Sequence, residues 1–192
     1  MKLSVVITTR NEAANIAACV RSFDDAARRG DAEVIVVDNA STDDTKAIAS
    51  SLGAAVYDKG PERSAQRNLG WQKARGEWVL VLDADMIIPP ETVDEMLSVD
   101  SGDAYWIPEV RTGTGIRVKA RNFERSFYDG TCIDALRLFR RSVLEKTGGY
   151  DENLIAGPED WELDIRVLES GAKCAVLKHN LKIGRASCRE RV

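Results

Sequence analysis

A strand that ends in two carboxylates constrains this chain more than any other feature. The apolar run at residues 79–82 reads Val-Leu-Val-Leu, and Asp83 and Asp85 follow it with one small residue between them. A continuous apolar run is typical of a central strand in a parallel sheet, which is covered on both faces. Ligands bind at the carboxyl ends of such strands, and residues i and i+2 of an extended segment point the same way. We therefore expect both carboxylates to face one site, although an Asp-rich turn that only closes a strand has the same composition.

Strand and helix patterns alternate along the first hundred residues. We predict strands at residues 3–8, 34–37, 55–57, 79–82, 104–110, 136–139 and 175–177. We predict helices at residues 16–23, 44–52, 64–74, 90–97, 116–128, 141–147 and 161–168. Ser41 and Asp44 resemble a capping box for the second helix. The alternation predicts an α/β fold, with a mostly parallel, Rossmann-like sheet and helices on both faces.

The composition is that of one globular domain. The chain has 192 residues, of which 44% are hydrophobic and 30% charged, and its formal net charge is −4. This charge does not favour nucleic acid as a partner, and no apolar run reaches the roughly 20 residues of a membrane span. The 4 cysteines form no CxxC pair, so we expect free thiols in a reducing compartment. We place a single domain at residues 1–183 and interpret residues 184–192 as an irregular tail, a truncation or a cloning artefact.

Polar clusters follow three of the predicted strands. They occupy residues 8–12, 38–43 and 83–85, and an acidic pair, Glu159 and Asp160, opens a predicted helix further along the chain. Because the carboxyl ends of parallel strands line one edge of a sheet, we expect the first three clusters to lie together. The acidic pair has a simpler alternative, since the helix dipole alone favours carboxylates at a helix start.

Five segments, in this order, resemble motifs of the family 2 glycosyltransferases, which have the GT-A fold. They are Val-Val-Ile-Thr-Thr-Arg-Asn-Glu at 5–12, Val-Val-Asp-Asn-Ala-Ser-Thr-Asp at 36–43, Ala-Gln-Arg-Asn-Leu-Gly at 65–70, Leu-Asp-Ala-Asp at 82–85 and Gly-Pro-Glu-Asp-Trp at 157–161. Each motif is weak alone, but their order makes the resemblance specific from Lys2 to Leu177. The resemblance implies a nucleotide-sugar-binding domain of GT-A fold. It also implies an enzyme that moves a sugar to an acceptor hydroxyl with inversion.

The resemblance further implies which residues bind the donor. Asp38 matches the position that contacts the base, and we expect it in a surface loop. The other donor-binding candidates are Thr8, Arg10, Glu12, Arg67 and Asp83.

The catalytic candidates are Asp160 and Glu159. Asp160 matches the general base of the family, and Glu159 beside it would orient the acceptor or the loop. A sugar hydroxyl is a poor nucleophile until a carboxylate takes its proton, so a base must be held within hydrogen-bond reach. We expect the following helix to hold it through four apolar residues, Trp161, Leu163, Ile165 and Leu168.

A divalent cation is the expected cofactor. Hard oxygen ligands suit Mg²⁺ or Mn²⁺, and a metal neutralises the charge that grows on a diphosphate leaving group. The resemblance assigns the metal to Asp85. His179 is the single histidine of the chain, and it is either a third metal ligand or a surface residue.

The expected partners are a nucleotide-sugar donor, for which UDP-sugars are the commonest in the family, and a glycan, lipid-linked or small-molecule acceptor. Arg117, Arg121 and Arg125 lie at helical spacing and form one basic stripe. The stripe is either a solvated face or a contact for a phosphorylated acceptor or an anionic membrane. The resemblance implies a cytoplasmic enzyme, which a membrane contact would bring to the inner face of the bilayer.

Other classes of α/β protein fit less well. A dinucleotide-dependent oxidoreductase needs Gly-x-Gly-x-x-Gly after its first strand, and a P-loop enzyme needs Gly-x-x-x-x-Gly-Lys-Ser/Thr; this chain has neither. A sugar-phosphate nucleotidylyltransferase shares the sheet but has a Gly-rich loop where residues 8–12 carry no glycine. A non-catalytic protein that binds nucleotide sugars stays open as an alternative, and a turnover assay separates it from an enzyme.

Overall fold

The computed structural model describes residues 1–125, 127, 135–154 and 157–184. The strands are β1 (Leu3–Thr9), β2 (Ala32–Asp38), β3 (Ala55–Asp58), β4 (Trp78–Asp83), β5 (Met86–Ile87), β6 (Ala104–Trp106), β7 (Glu109–Arg111), β8 (Leu136–Arg140), β9 (Cys174–Val176) and β10 (Leu181–Ile183). The helices are α1 (Ile16–Arg21), α2 (Asp24–Arg28), α3 (Thr45–Ser51), α4 (Arg63–Lys73), α5 (Pro90–Ser98), α6 (Ile116–Arg125), α7 (Arg141–Thr147) and α8 (Glu159–Glu169).

A seven-stranded sheet in the order β3-β2-β1-β4-β8-β6-β9 forms the centre of the domain. Strands β1 to β4 pair in parallel, whereas β8 runs antiparallel to both of its neighbours. In the register of the sheet, Thr8 lies opposite Val37 on one side and opposite Asp83 on the other. The predicted α/β fold with a mostly parallel sheet is confirmed, and this register brings the carboxyl ends of β1, β2 and β4 to one edge.

Alternate residues of the central strands pack into two cores on opposite faces of the sheet. Val5 and Ile7 belong to the core that also contains residues of α1, α3 and α5, and Val6 belongs to the core that contains residues of α4, α7 and α8. Gly70 of α4 lies so close to β1 that a Cβ atom there would come within 2.1 Å of Val6. The glycine therefore sets how closely α4 approaches the sheet, and with it the position of the side chains that α4 carries to the ligand edge.

The predicted strand at 104–110 is divided into two. β6 pairs in the main sheet, while β7 joins β10 and β5 in a second, three-stranded sheet. Pro108 lies between them, where it has no N–H to donate, and its carbonyl accepts a hydrogen bond from Leu181 N at 2.9 Å. The sequence pattern missed β5 and β10 because strands of two or three residues carry too few positions to show a period.

Two local predictions about helices were wrong. Residues 16–23 do not form one helix, because the chain breaks at Phe23 between α1 and α2. Ser41 does not cap α3: the helix follows Asp44 without a side-chain capping bond, and the Ser41 hydroxyl donates instead to Asp38.

Some predictions fall outside the described residues, including the end of the predicted helix at 128, two of the cysteines and the tail at 185–192. Cys19 and Cys174 are both free thiols. Within the described part of the chain, no helix has the length and apolar character needed to cross a bilayer.

Candidate functional site

Hydrogen bonds join the loops that follow β1 and β2 at the ligand edge. Asn11 donates its backbone N–H to the Ser41 hydroxyl at 2.7 Å and accepts from Thr42 N at 2.8 Å through its side chain. The N–H of Glu12 donates to the Thr45 hydroxyl at 2.8 Å. Asn11 has a positive φ of 54°, a conformation that asparagine tolerates better than most residues. The two loops therefore form one preorganised surface, which carries the predicted donor residues Arg10, exposed, and Glu12, half-buried.

Asp38 ends β2 beneath these loops and is fully buried. One of its carboxylate oxygens accepts Ser41 N at 2.7 Å, and the other accepts the Ser41 hydroxyl. The expectation that Asp38 lies in a surface loop was wrong, because the strand runs one residue further than its apolar pattern. Asp38 thus holds the shape of the loop, whatever further contact it makes with a ligand.

Gln66 fastens α4 to the ends of two strands. Its buried amide donates to the carbonyl of Val37 at 2.7 Å and to the carbonyl of Thr9 at 3.2 Å. This contact fixes the first half of α4 against the ligand edge and positions the next residue, Arg67, over the end of β4.

A cluster of charged side chains lies at the end of β4; we call Arg63, Arg67, Asp83, Glu159 and Asp160 the carboxylate cluster. Arg67, of which 1% of the side chain is exposed, places Nη1 at 2.6 Å from Asp160 Oδ1 and Nη2 at 3.7 Å from Asp83 Oδ1. Arg63 contacts Glu159 Oε1 at 2.9 Å. Thr8 donates its hydroxyl to Asp83 at 3.3 Å. Residues from β1, α4, β4 and α8 are thereby brought to one point.

The charges of the cluster stabilise one another. Burial raises the pKa of Asp83, but Arg67, Arg137 and Arg63 outweigh this effect, so the pKa of Asp83 is lowered overall. Burial lowers the pKa of Arg67, and the carboxylates of Asp160 and Asp83 reverse that shift. The guanidinium of Arg67 also lies 5.0 Å from the centre of the Tyr150 ring. A buried guanidinium with this many partners is a rigid anchor for the carboxylates around it.

Asp160 and Glu159 differ in their access to a ligand. Glu159 is fully buried and its carboxylate accepts the backbone N–H of Gly157, whereas 21% of the Asp160 side chain is exposed. Leu163 and Val167 anchor the helix behind them. The expected anchors Trp161, Ile165 and Leu168 are instead 50–54% exposed. Of the two acids, only Asp160 therefore has a solvent-accessible side chain.

The two predicted metal ligands have different surroundings in the structure. Asp85 lies half-buried in the turn after β4, and both Asp85 and Asp83 raise the pKa of the buried Cys19 thiol, after burial itself. His179 instead lies 2.8 Å from Glu95 of α5, through its Nδ1. Among residues 1–125, 127, 135–154 and 157–184, no group of three or more His, Cys, Asp or Glu side chains is arranged to hold a metal ion. The contact with Glu95 uses one of the two ring nitrogens of His179, so its role as a metal ligand stays a prediction.

The predicted basic stripe on α6 is also interrupted. Arg125 turns inward to an ion pair with Glu109, which also accepts two hydrogen bonds from Arg137, at 2.8 Å and 2.5 Å. Arg117 and Arg121 remain exposed. The stripe therefore does not act as one surface of three arginines, since its last member belongs to a buried network.

Sequence reasoning missed three residues of the site: Arg63, Gln66 and Arg137. Arg63 was detectable, because it lies four residues before Arg67 and so on the same face of a helix. Gln66 lies within the quoted motif, but its role depends on the exact placement of α4. Arg137 was not detectable, because its position next to β4 depends on the antiparallel insertion of β8 into the sheet.

The fold and this site define a protein of the GT-A class. The structure of the Staphylococcus aureus protein TarS in complex with UDP superposes with a TM-score of 0.79 at 22% identity, covering 96% of this chain and 61% of that one. The mannosyltransferase PcManGT from Pyrobaculum calidifontis, in complex with GDP-Man and Mn²⁺, superposes with a TM-score of 0.73 at 21% identity, covering 98% and 58%.

The chain belongs to glycosyl transferase family 2, whose family model matches residues 4–148. An uncharacterized glycosyltransferase of Rickettsia felis is 41% identical over 97 residues, which are 50% of this chain and 32% of that protein. A dolichol-phosphate mannosyltransferase of Pyrococcus furiosus is 32% identical over 103 residues, covering 50% and 29%. The chain thus matches about a third of the length of these relatives, and α8 with Asp160 lies beyond the matched family model.

Proposed function

We propose that this chain transfers a sugar from a nucleoside-diphosphate sugar to an acceptor hydroxyl, with inversion at the anomeric carbon. The observation that carries the proposal is the contact of 2.6 Å between Arg67 and Asp160. Through it, a carboxylate from α8, 93 residues away in sequence, is held beside Asp83 at the ligand edge of the sheet. Family membership supports a donor of this kind, and the carboxylate supplies the base that the reaction needs.

In the proposed reaction, the exposed oxygen of Asp160 takes the proton of the acceptor hydroxyl. The acceptor oxygen then attacks the anomeric carbon from the face opposite the diphosphate, and the bond from that carbon to the diphosphate oxygen breaks. One displacement inverts the configuration. Arg67 holds Asp160 in place during this step, and Glu159, which is buried behind it, orients the loop at Gly157. General-base catalysis of this kind contributes roughly 10²- to 10⁴-fold to a rate.

The residues at the end of β4 fit a divalent cation held jointly with a ligand. Asp85 offers hard carboxylate oxygens, which suit Mg²⁺ or Mn²⁺. One protein carboxylate would leave the rest of the coordination shell to phosphate oxygens and water, as is usual for Mg²⁺. When bound, the cation would supply charge neutralisation for the leaving diphosphate. In this proposal Asp85 is the metal ligand, and Asp83 lies along the nucleoside and is fixed by Thr8 and Arg67.

The donor proposed is a UDP-sugar, bound over the joined loops after β1 and β2 through Asp38, Glu12, Arg10 and Thr8. TarS in complex with UDP supports this choice at the level of the fold, and PcManGT in complex with GDP-Man makes GDP-mannose the donor to compare with it. The acceptor proposed is a hydroxyl of a glycan, a lipid-linked molecule or a small molecule that reaches Asp160.

A binding screen followed by a turnover assay tests the proposal. Thermal unfolding is measured with UDP, GDP and their sugars in the presence of Mn²⁺, since a ligand that binds the native state raises its apparent stability. Nucleoside-diphosphate release is then measured with the donor that binds. We expect EDTA and Asp85→Ala each to abolish turnover and to remove the metal-dependent part of the thermal shift.

Asp94→Ala is the matched control, because Asp94 is a carboxylate with a side chain 71% exposed on α5. It should leave both readouts unchanged. Full turnover in EDTA would contradict the metal assignment. A thermal shift without turnover for any acceptor class would identify a nucleotide-sugar-binding protein instead of an enzyme.

A further inference from the structure

The helix α6 is amphipathic in the reverse of the usual sense. None of its residues from Ile116 to Arg125 is buried. The side that faces the domain is largely polar: Asn122 bonds the backbone of Arg111 in both directions, at 2.9 Å and 3.0 Å, and Arg125 pairs with Glu109. A surface helix of a globular protein normally turns its apolar stripe toward the core. Here the apolar stripe lies on the other side.

The outward face carries large apolar side chains. Ile116 is 84% exposed, Phe123 is 68% exposed and Phe127, just beyond the helix, is 66% exposed. The two phenylalanine rings meet edge to face, with their centroids 5.0 Å apart. At 100° per residue Ile116 and Phe123 fall within one narrow sector of the helix, and the ring contact places Phe127 beside Phe123. Exposed apolar surface that is concentrated in this way marks an interaction site more often than scattered apolar residues do.

Basic residues border the apolar face on both sides. Lys119 lies on one side of it. Arg117 and Arg121 lie on the other, together with Glu124, which pairs with Arg121 at 3.0 Å; all four are exposed. This concentration of positive charge occurs in a chain whose formal net charge is −4. Aromatic and aliphatic side chains flanked by Lys and Arg are the pattern of helices that lie in the interface of a bilayer with anionic lipids.

We propose that α6 docks this domain on an anionic lipid surface, with Ile116, Phe123 and Phe127 inserted among the acyl chains and Arg117, Lys119 and Arg121 at the headgroups. A second copy of the chain fits the face less well. In a two-fold symmetric contact the same patch meets itself, so the cations of both copies would be brought together. The proposal is independent of the catalytic assignment, because it concerns binding to lipid without donor or acceptor.

A different helix supplies the contrast that makes the inference testable. Trp161, Ile165 and Leu168 of α8 are also half-exposed and share one face, but Glu162 and Glu169 lie on that helix. The one cation of α8, Arg166, pairs with Glu162, whereas α6 carries three exposed cations beside one exposed acid, Glu124, so an anionic surface favours α6 over α8. Exposed apolar area alone therefore does not predict which helix binds lipid, whereas apolar area bordered by positive charge does.

Vesicle co-sedimentation of the full chain tests the proposal. The probes are vesicles of phosphatidylcholine and vesicles of an equimolar mixture of phosphatidylcholine and phosphatidylglycerol. We expect binding to the mixed vesicles that weakens as salt is raised. Replacing Arg117, Lys119 and Arg121 with Gln should weaken it by roughly 100-fold, from the usual contribution of each basic residue near a charged surface. Ile116→Ser with Phe127→Ser should weaken it at least about 10-fold and on both vesicle types.

Matched variants separate this site from general effects. Arg28, Arg29 and Arg141 replaced with Gln give the same change of formal net charge, from −4 to −7, and should bind as the unmodified chain does. Ile165→Ser with Leu168→Ser should do the same. Because the α6 side chains are exposed, thermal unfolding should show that the variants fold.

Three results would overturn the proposal. The first is an unmodified chain that binds neither vesicle, which is the result expected if other parts of the chain cover the face. The second is an equal loss of binding in the control variants. The third is a dimer in solution that Ile116→Ser with Phe127→Ser dissociates, which would make the face a contact between copies.

Discussion

The two sides of the ligand edge are held together by different kinds of interaction. On the nucleotide side, hydrogen bonds through Asn11, the Ser41 hydroxyl and the Asp43 carboxylate join loops that are about thirty residues apart in sequence. The buried carboxylate of Asp38 holds the second of these loops. On the acceptor side, the carboxylate cluster relies on ion pairs between α4, β4 and α8, whose partners lie up to 96 residues apart, as Arg63 and Glu159 do. The first side is held by several separate hydrogen bonds. The second is held by buried charges, each of which is stabilised by its ion-pair partners.

This difference determines what a substitution does. Losing one hydrogen bond among several costs about 0.5–1.5 kcal/mol. Removing one charge from a buried set leaves its partner uncompensated and costs about 3–5 kcal/mol. On the acceptor side we therefore replace an acid with the amide of the same shape. Such a variant removes the charge and the proton acceptor without adding a cavity to the cost.

Asp160→Asn should have the largest effect of the substitutions considered in this comparison. The amide keeps the shape of the side chain but cannot accept the acceptor proton, so turnover should fall by roughly 10²- to 10⁴-fold. Arg67 keeps Asp83 and Glu159 as partners, both at 3.7 Å. Donor affinity should therefore stay within about a factor of three, because a base that acts on the acceptor contributes little to ground-state binding of the donor. Steady-state kinetics and calorimetry with the donor measure the two quantities.

Glu162→Gln is the control for Asp160→Asn, since Glu162 lies two residues later on α8 and pairs with Arg166. It should turn over normally. If Asp160→Asn stays active while Glu159→Gln is inactive, the roles of the two acids are reversed. If both stay active, the base lies elsewhere.

Asp38→Asn probes the nucleotide side, where a smaller effect is expected. Losing one charge-assisted hydrogen bond to the base should weaken UDP binding by about 1–3 kcal/mol. Because the carboxylate also accepts both Ser41 donors, the variant should lose stability as well, which the expected surface position would not have predicted. Calorimetry with UDP and chemical unfolding report the two effects separately.

Ser41→Ala removes the hydroxyl donor but leaves the carboxylate, so it should reproduce part of the stability loss with nearly normal UDP affinity. A folded Asp38→Asn protein that binds UDP as well as the unmodified chain would remove Asp38 from the donor site and leave it with a structural role alone.

The sequence predicted the nucleotide side of the site better than the acceptor side. The strands that carry Thr8, Asp38 and Asp83 have long apolar runs and short connections, so pattern and parallel topology together placed their ends at one edge. The pattern missed one residue of strand length there, which moved Asp38 from a loop to a buried position. It also missed the bonds of Gln66 to the strand ends and of Ser41 to Asp38.

The acceptor side depends on contacts that no local pattern encodes. The insertion of β8 between β4 and β6 brings Arg137 near Asp83, and the departure of the chain at Pro108 puts Glu109 within reach of Arg125 and Arg137. The sequence identified the apolar residues of α8, but which of them face the core depends on how the helix packs on the sheet. Leu163 and Val167 face inward. The other three predicted anchors, Trp161, Ile165 and Leu168, do not.

The smallest of the effects expected here is a change in how stability depends on pH, and it concerns Asp164 on the acceptor side. Burial, with the nearby carboxylate of Asp160 adding to it, raises the pKa of Asp164 from 3.8 to about 7. Between these two values the native state keeps a proton that the unfolded chain has lost, so the ionisation of Asp164 makes stability fall as pH rises from about 4 to about 7. Asn at this position has no such proton. Asp164→Asn should therefore gain about 2 kcal/mol of stability relative to the unmodified chain between pH 4.5 and pH 6. Urea unfolding at both pH values measures this difference, with Asp94→Asn as an exposed control that should show none.

Asp160→Asn should show part of the same gain, because it removes the negative charge that adds to the shift in the pKa of Asp164. A difference in the free energy of unfolding between Asp164→Asn and the unmodified chain that stays constant across this range would mean that Asp164 is ionised throughout. The acceptor side would then hold one more buried negative charge, in addition to those in the ion pairs.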